Sequence, residues 1–267
     1  MSLTEVAERV ASEASALVRT ARSEMSAGRA VAVDTKSSDT DVVTAVDTEA
    51  ERLIRDRLTA LRPGDAVLGE EGGGPDAADP DGVTWVVDPI DGTVNFLYGH
   101  PFFAVSIGAQ IGGVSVAGAV VEPVSGRTWT ATRGSGAWLN GDRLRVAKPQ
   151  RLDLTLLATG FSYRAARRER QAQMVHSLLG KVRDIRRAGA ASLDLCALAA
   201  GWVDGYFEHG LARWDWAAGA LIAEEAGAVV VLPGADPALG DDATFAAPPS
   251  IAAELRAALI DSGAATV

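Results

Sequence analysis

Two carboxylates separated by a single turn stand at the end of an apolar run in the segment Trp85–Phe96. The run is rich in β-branched residues, so it predicts a buried strand that delivers Asp88 to its carboxyl end. Pro89 fixes the backbone and keeps Asp88 extended, and Asp91 then returns to the same side. The two carboxylates and the Ile90 carbonyl between them are hard oxygen ligands that suit a divalent cation.

A glycine and a hydroxyl residue follow these carboxylates directly. Gly92 and Thr93 are predicted to open a helix, where unpaired backbone N–H groups form an anion site. A cation site and a phosphate site would therefore lie one residue apart. This spacing indicates metal-assisted phosphate chemistry.

Three further acidic segments could join this site. Glu70 and Glu71 precede a glycine run, Asp215 lies where a helix is predicted to begin, and Asp47 precedes another helix. Taken singly, each has a plain structural explanation, which is a solvated turn for the two glutamates and helix capping for the two aspartates. Only the combination of the segments favours a functional interpretation.

Composition limits the classes of partner. The chain has 267 residues, 48% of them hydrophobic, which is enough for one large core or two modest ones. A net charge of −10 predicts no nucleic-acid and no membrane partner, and it admits a phosphate substrate only through bound cations. No run reaches the ~20 apolar residues of a membrane helix. The lone Cys196 fits a reducing compartment, so the sequence predicts a cytoplasmic protein.

Hydrophobic periodicity predicts the N-terminal helices. Residues 3–27 form an amphipathic pattern that begins with a capping-box sequence. A second helix is predicted over about 48–61, where Thr48 and Glu51 have capping-box spacing.

The remaining pattern changes near residue 150. Strands are predicted at 83–88, 103–111, 114–121, 127–132, 154–158, 182–186, 203–207 and 228–232, and helices at about 165–179, 190–200 and 216–226. Residues 1–150 are therefore predicted to form an α+β half with the metal-binding motifs, and 151–267 an α/β half that completes the site.

Together these segments resemble the inositol monophosphatase family. A first family signature of the type Trp-x-Asp-Pro-Ile-Asp-Gly-Thr-x-Asn-Phe matches residues 85–96, with one extra residue before Asp88. A second, Trp-Asp-x-Ala-Ala-Gly and then Glu-Ala-Gly, matches 214–219 and 225–227. The accessory segments that follow in the expected order are Lys36-Ser37, Asp41-Val42-Val43-Thr44 with Asp47, and Gly69-Glu70-Glu71-Gly72. The similarity spans residues 36 to 232.

The resemblance implies a site for two or three Mg²⁺ ions. The implied metal ligands are Glu70, Asp88, the Ile90 carbonyl, Asp91 and Asp215. The implied nucleophile is a metal-activated water, which Thr93 and Asp47 would orient and deprotonate, with Glu70 also in a catalytic role. Glu71 is expected to shape its loop, and Lys36 to contact that loop or the phosphate.

The resemblance also implies a substrate pocket. Its residues would be Asp91, Gly92, Thr93, Gly189, Ala190, Ala191, Glu208 and Asp215. Glu208 would receive ring hydroxyls, and the small side chains of 189–191 would let the ring approach. These features favour myo-inositol 1-phosphate. Histidinol phosphate, fructose 1,6-bisphosphate and a nucleotide 3′-phosphate remain open as substrates.

The implied fold is a five-layered α/β/α/β/α sandwich of the sugar-phosphatase type, mixing α+β and α/β parts, and the implied assembly is a homodimer. Lithium inhibition is common in the family. A rival interpretation is a non-catalytic regulator that uses this fold to bind protein or RNA, but the intact set of polar residues and the negative charge argue against it. The arginines at 164, 167, 168 and 170 are interpreted as a solvated helix face. The alternative is that one of them reaches a neighbouring subunit's site in a dimer.

Overall fold

The structure, a computed structural model, describes residues 1–36, 42–75 and 81–267. Its helices are α1 Leu3–Ser26, α2 Ala45–Leu61, α3 Thr93–Tyr98, α4 Ala165–Leu179, α5 Ala191–Ala199, α6 Arg213–Glu225 and α7 Ala252–Asp261. Its strands are β1 Val33–Thr35, β2 Val42–Thr44, β3 Ala66–Gly69, β4 Val83–Asp91, β5 Ala104–Ile111, β6 Val114–Val121, β7 Thr128–Thr132, β8 Gly136–Leu139, β9 Asp142–Arg143, β10 Leu156–Thr159, β11 Asp184–Arg186, β12 Gly205–His209, β13 Val229–Val231 and β14 Ala243–Ala247.

Two large sheets organise these elements. The seven-stranded sheet runs in the order β3-β4-β5-β6-β7-β8-β9, and all its neighbouring strands are antiparallel except the parallel pair β3–β4. The five-stranded sheet runs β11-β10-β12-β14-β13, with β10 parallel to both of its neighbours and β14 antiparallel to both of its own. Along the chain, all strands of the seven-stranded sheet precede residue 150 and all strands of the five-stranded sheet follow it. This is where the sequence predicts the boundary between two halves. Whether those halves are separate domains stays a prediction.

Helices separate and cover the sheets in five layers. Helices α1 and α2 pack on one face of the seven-stranded sheet, and α5 and α6 lie between the two sheets. Helices α4 and α7 cover the outer face of the five-stranded sheet. This arrangement confirms the predicted α/β/α/β/α sandwich.

The central strands bury both of their faces. On β4, Trp85 and Val87 pack toward α1 and α2, whereas Val86 packs toward the middle helices. On β12, Tyr206 faces the middle helices and Phe207 the outer layer. Side chains alternate along a strand, so a strand buried on both faces appears in sequence as an unbroken apolar run.

Helix α6 lies unusually close to the seven-stranded sheet. A β-carbon added to Gly108 would lie 2.9 Å from the Ala217 Cβ, and one added to Gly118 would lie 3.0 Å from the Ala218 Cα. The small residues after Asp215 therefore let α6 approach the sheet, and this approach brings Asp215 toward the end of β4.

Most predicted elements are confirmed, and α4 has the predicted bounds. The predicted start of α2 is wrong, because the helix begins at Ala45 and is capped by Thr44, whose backbone N–H donates to Asp47 Oδ2 at 2.9 Å. Thr48 and Glu51 therefore do not form its capping box. The sequence analysis also missed β14 and α7, which lie in alanine-rich segments. Within the described ranges, no helix is long and apolar enough to cross a membrane.

Candidate active site

A bulge in β4 brings two carboxylates to one side. The pairing of β4 with β5 shifts register between Asp88 and Asp91. The Ile90 N–H donates to Asp88 Oδ1 at 3.0 Å, which closes the turn between them. As a result, one carboxylate oxygen from each of Asp88, Asp91 and Asp215 lies within 4.8 Å of the other two.

Asp91 also caps a helix from a distant part of the chain. The residue that precedes α5, Ala190, has no side chain that could accept a hydrogen bond. Instead the Asp91 carboxylate accepts the backbone N–H of Ala191 at 3.2 Å and that of Ser192 at 2.7 Å, and the Ser192 hydroxyl donates to it at 2.5 Å. The geometry therefore fixes Asp91 between the two halves of the chain.

Asp215 reaches the site from the first turn of α6. It is not the capping residue but lies three positions further on, where its Oδ2 accepts the backbone N–H of Ala212 at 2.6 Å. The hydrogen bond at the start of α6 uses only one of the two carboxylate oxygens of Asp215.

Burial and like charge disturb all three aspartates. Burial raises the pKa of Asp91 to about 6, although the hydrogen bonds from Ser192 act in the opposite direction. Burial and the surrounding carboxylates raise the pKa of Asp88 and of Asp215 well above the usual range. Three clustered carboxylates of this kind are hard oxygen donors whose mutual repulsion a divalent cation would relieve, so the residues present fit the implied Mg²⁺.

Thr93 links the cleft to Asp47. The Thr93 hydroxyl lies 3.0 Å from Asp47 Oδ1 and 3.1 Å from the Ile90 carbonyl, so its single proton can be donated to either acceptor. Asp47 is fully buried, and burial raises its pKa despite the hydrogen bonds from Thr44 and Thr93. Asp47 does not line the cleft, so it can act on a molecule there only through Thr93.

Glu70 stands beside the aspartate cluster. Lys36 Nζ pairs with Glu70 Oε1 at 2.8 Å and with Glu71 Oε1 at 2.5 Å. Glu70 is not among the three carboxylates that lie within 4.8 Å of one another, yet its negative charge is the largest contribution of any residue to the raised pKa of Asp88. Burial raises the pKa of Glu71 to about 7. Lys36 thus contacts the acidic loop, as predicted.

Glu51 anchors that loop, a role that sequence reasoning missed. Its buried carboxylate accepts the backbone N–H of Glu71 at 2.7 Å and that of Gly72 at 2.8 Å, and it pairs with Arg55. A β-carbon on Gly69 would lie 2.4 Å from Glu51 Oε1. Glu51 therefore holds the backbone that presents Glu70.

A cleft of about 530 Å³ opens beside these acids. It is lined by every predicted metal and substrate residue, namely Glu70, Asp88, Ile90, Asp91, Gly92, Thr93, Gly189, Ala190, Ala191, Glu208 and Asp215. Gly92 and Gly189 have φ of 92° and 96°, in the left-handed region that favours glycine. The structure thus brings together the two signatures and the small-residue turn.

The cleft also contains three arginines that sequence reasoning did not place there, Arg164, Arg167 and Arg187. The interpretation as a solvated helix face is wrong for Arg167, which is half-buried, whereas Arg164 is exposed at the edge of the cleft. Arg167 forms a paired contact with Asp242, with both N–O distances at 2.6 Å. These arginines follow the carboxyl ends of β10 and β11, where open parallel sheets bind ligands, and this rule could have identified them.

Comparison with known proteins decides the family. The sequence model of the inositol monophosphatase family matches residues 1–264. The chain belongs to this family. As a member of this family, the chain is an enzyme of the phosphoric monoester hydrolase class. The cluster of Asp88, Asp91 and Asp215 agrees with the metal dependence that is general in the family.

Relatives and solved structures agree with this assignment. The chain is 53% identical to inositol-1-monophosphatase SuhB of Mycobacterium tuberculosis, over 96% of this chain and 93% of the relative. It is 46% identical to Nus factor SuhB of Escherichia coli, over 71% of each chain. The solved structure of Mycobacterium tuberculosis SuhB has a TM-score of 0.82 at 46% identity, covering 98% of this chain and 97% of that chain. The inositol monophosphatase fold is therefore that of this chain.

Proposed function

We propose that the chain hydrolyses a small phosphate monoester with the help of Mg²⁺, and that myo-inositol 1-phosphate is the preferred substrate. The observation that carries the proposal is the convergence of Asp88, Asp91 and Asp215 within 4.8 Å at a cleft that also contains Glu208. Chemistry on a phosphate dianion requires positive charge in such an acidic site, and clustered carboxylates provide it by holding metal.

The metal would be held by Asp88, Asp91 and Asp215, with Glu70 and the Ile90 carbonyl completing the set. Bound Mg²⁺ would supply Lewis acidity, activating water and neutralising the negative charge that develops on the phosphate. Glu70 Oε1 pairs with Lys36, so Glu70 would join the metal either through Oε2 or by exchanging this contact. Lys36 also pairs with Glu71, so a contact with the phosphate would require Lys36 to leave that partner as well.

The residues Thr93 and Asp47 would handle the proton. The Thr93 hydroxyl donates toward Asp47, so its lone pairs are available to accept a hydrogen bond from a water in the cleft. Asp47, with its raised pKa, is the acceptor at the end of this path. Thr93 thereby orients the attacking water and passes its proton inward.

The polyol side would be formed by Glu208 and the turn 189–191. A carboxylate accepts hydrogen bonds from vicinal hydroxyls, and it discriminates against esters that lack them. The name of the Mycobacterium tuberculosis relative, inositol-1-monophosphatase, supports this choice of substrate. Histidinol phosphate, fructose 1,6-bisphosphate and nucleotide 3′-phosphates are the alternatives within the same reaction.

Phosphate release from a panel of monoesters tests the proposal. With Mg²⁺, inositol 1-phosphate should have the highest kcat/KM; EDTA should abolish release and added Mg²⁺ restore it, whereas Ca²⁺ should not, because its looser geometry misplaces the water. Glu208→Ala should lower kcat/KM for inositol 1-phosphate roughly ten- to hundred-fold and barely affect an aryl phosphate. The exposed Glu169→Ala on α4 is the matched control. Full activity in chelator would exclude the metal mechanism, and equal losses on both substrates would exclude the polyol role.

A regulatory role is the second candidate, because a relative at 46% identity is named a Nus factor. Turnover by the purified chain would show that catalysis does not depend on such a role. A homodimer, sensitivity to lithium and a cytoplasmic location complete the proposal, and they can be checked by light scattering, inhibition and fractionation.

A further inference from the structure

The carboxylate of Glu208 is held by two residues that do not themselves belong to the proposed substrate set. Tyr206 and Glu208 are two positions apart on β12, so both side chains lie on the same face of the five-stranded sheet. The Tyr206 hydroxyl donates to Glu208 Oε2 at 2.7 Å. The Tyr206 side chain is fully buried, so its hydroxyl is fixed by the surrounding core.

Gly160 provides the space for the same carboxylate. It follows β10, which pairs in parallel with β12 through Thr159 and Phe207, and this register places Gly160 beside Glu208. A β-carbon on Gly160 would lie 2.0 Å from Glu208 Oε1 and 2.1 Å from Oε2. No side chain larger than hydrogen fits beneath the carboxylate while it stays there. The φ of Gly160 is not in the left-handed region, so space and not backbone strain requires glycine.

These contacts leave one carboxylate oxygen for a ligand. Tyr206 is the only side chain among the described residues that donates a hydrogen bond to Glu208, and it does so to Oε2. Both Gly160 and Glu208 line the cleft. A carboxylate held in this way has one orientation, so binding a substrate does not carry the entropic cost of ordering a free side chain.

We propose that Tyr206 and Gly160 are positioning residues that determine polyol specificity by fixing the Glu208 carboxylate. The proposal rests on the proposed function, since it assigns a purpose to Glu208 in that reaction. Substitutions at Tyr206 and Gly160 should therefore affect only the hydrolysis of substrates with ring hydroxyls, and only by moving the Glu208 carboxylate.

The test compares kcat/KM for inositol 1-phosphate and for an aryl phosphate, both with Mg²⁺. Tyr206→Phe keeps the buried ring and removes the donor, and it should lower the polyol value roughly five- to twenty-fold while changing the aryl value less than about two-fold. Gly160→Ala should act in the same direction, because the added methyl group would displace the end of the flexible Glu208 side chain. The controls are Tyr98→Phe, at a side chain that is 87% exposed, and Gly180→Ala, where a β-carbon meets no atom within 4 Å.

A double-mutant cycle decides whether these residues act through Glu208. In the Glu208→Ala background, Tyr206→Phe and Gly160→Ala should each change the polyol value less than about two-fold. Equal losses on both substrates, an undiminished loss in that background, or no loss in the single variants would overturn the proposal. If Glu208→Ala itself leaves the preference for the polyol intact, the substrate assignment fails as well, so the two failures are distinguishable.

Discussion

The carboxylate of Asp91 and the hydroxyl of Ser192 lie 2.5 Å apart, although the two residues are distant in sequence. Asp91 is at the end of β4, and Ser192 is in the first turn of α5. The contact makes one side chain both a candidate metal ligand and the cap of a helix. Asp91 therefore has a proposed role in binding metal and a structural role in capping α5, and substitutions can separate the two contributions.

Ser192→Ala removes one donor to Asp91 and leaves the backbone N–H in place. The loss of a buried hydrogen bond to a carboxylate should cost about 1.5–3 kcal/mol of unfolding free energy. The Mg²⁺ concentration needed for half-maximal activity should rise, because Asp91 is less firmly oriented. Thermal unfolding and an Mg²⁺ titration measure the two effects. The exposed Ser177→Ala is the control, and an unchanged melting temperature would show that the Ser192 hydroxyl does not support the cap.

Asp215→Asn separates metal binding from the helical role of Asp215. Asparagine can still accept the backbone N–H of Ala212, so the fold should be kept. Removing the charge should weaken Mg²⁺ binding and lower turnover by roughly 10²-fold or more. Mg²⁺ should raise the melting temperature of the natural chain and raise that of the variant much less. If the Mg²⁺ titration of the variant matches that of the natural chain, Asp215 serves the helix alone.

Thr93→Val tests the path from the cleft to Asp47. Valine keeps the shape of threonine and loses the hydroxyl that reaches Asp47. Turnover should fall by ~10²–10⁴ while Mg²⁺ and substrate still bind, which is the usual contribution of a positioned proton transfer. Thr93→Ser should retain most of the activity. A rise in KM at constant kcat would show instead that Thr93 only contacts the phosphate.

The polyol preference should depend on pH through Glu208. Burial raises the pKa of Glu208 to about 7, while Tyr206 and Arg187 act to lower it and Asp91 to raise it. Burial raises the pKa of Asp194 and of Asp215, and the nearby charge of Glu208 raises both pKa values further. Because the ionised form is the better acceptor, the ratio of kcat/KM for inositol 1-phosphate over that for an aryl phosphate should fall as pH drops through 7. The ratio should be flat in Glu208→Gln, and a flat ratio in the natural chain would contradict the prediction.

The sequence predicts well what is local. The run that ends at Asp88 has the length and composition of a buried strand, and α4 has a clear helical pattern, so both were placed correctly. The start of α2 was misplaced because two threonines, Thr44 and Thr48, both have an acid three positions on. The structure uses Thr44, whose partner Asp47 also bonds Thr93 from another segment. Capping patterns do not contain that distant contact.

Parts of the site that depend on tertiary contacts could not be predicted in the same way. Nothing near Glu51 in sequence indicates that it binds the backbone of the Glu70 loop. Arg187 reaches the cleft because β10, β11 and β12 are parallel neighbours, and only the rule for the carboxyl ends of parallel strands could have indicated it. The resemblance to a family supplied the remaining long-range groupings, because its signatures join segments that are far apart in the chain.

The middle layer sets the order in which the chain can fold during synthesis. The seven-stranded sheet is complete at Arg143, but the helices that cover its inner face end only at Glu225. Trp129 and Val120 on that face belong to one cluster with residues of both α5 and α6, so their cover is complete only when both helices have been made. At about 5–20 residues per second, the ribosome leaves this apolar surface exposed for roughly 4–16 s. A nascent chain should therefore expose part of this apolar surface over that interval, and fragments that stop before α5 are expected to be insoluble.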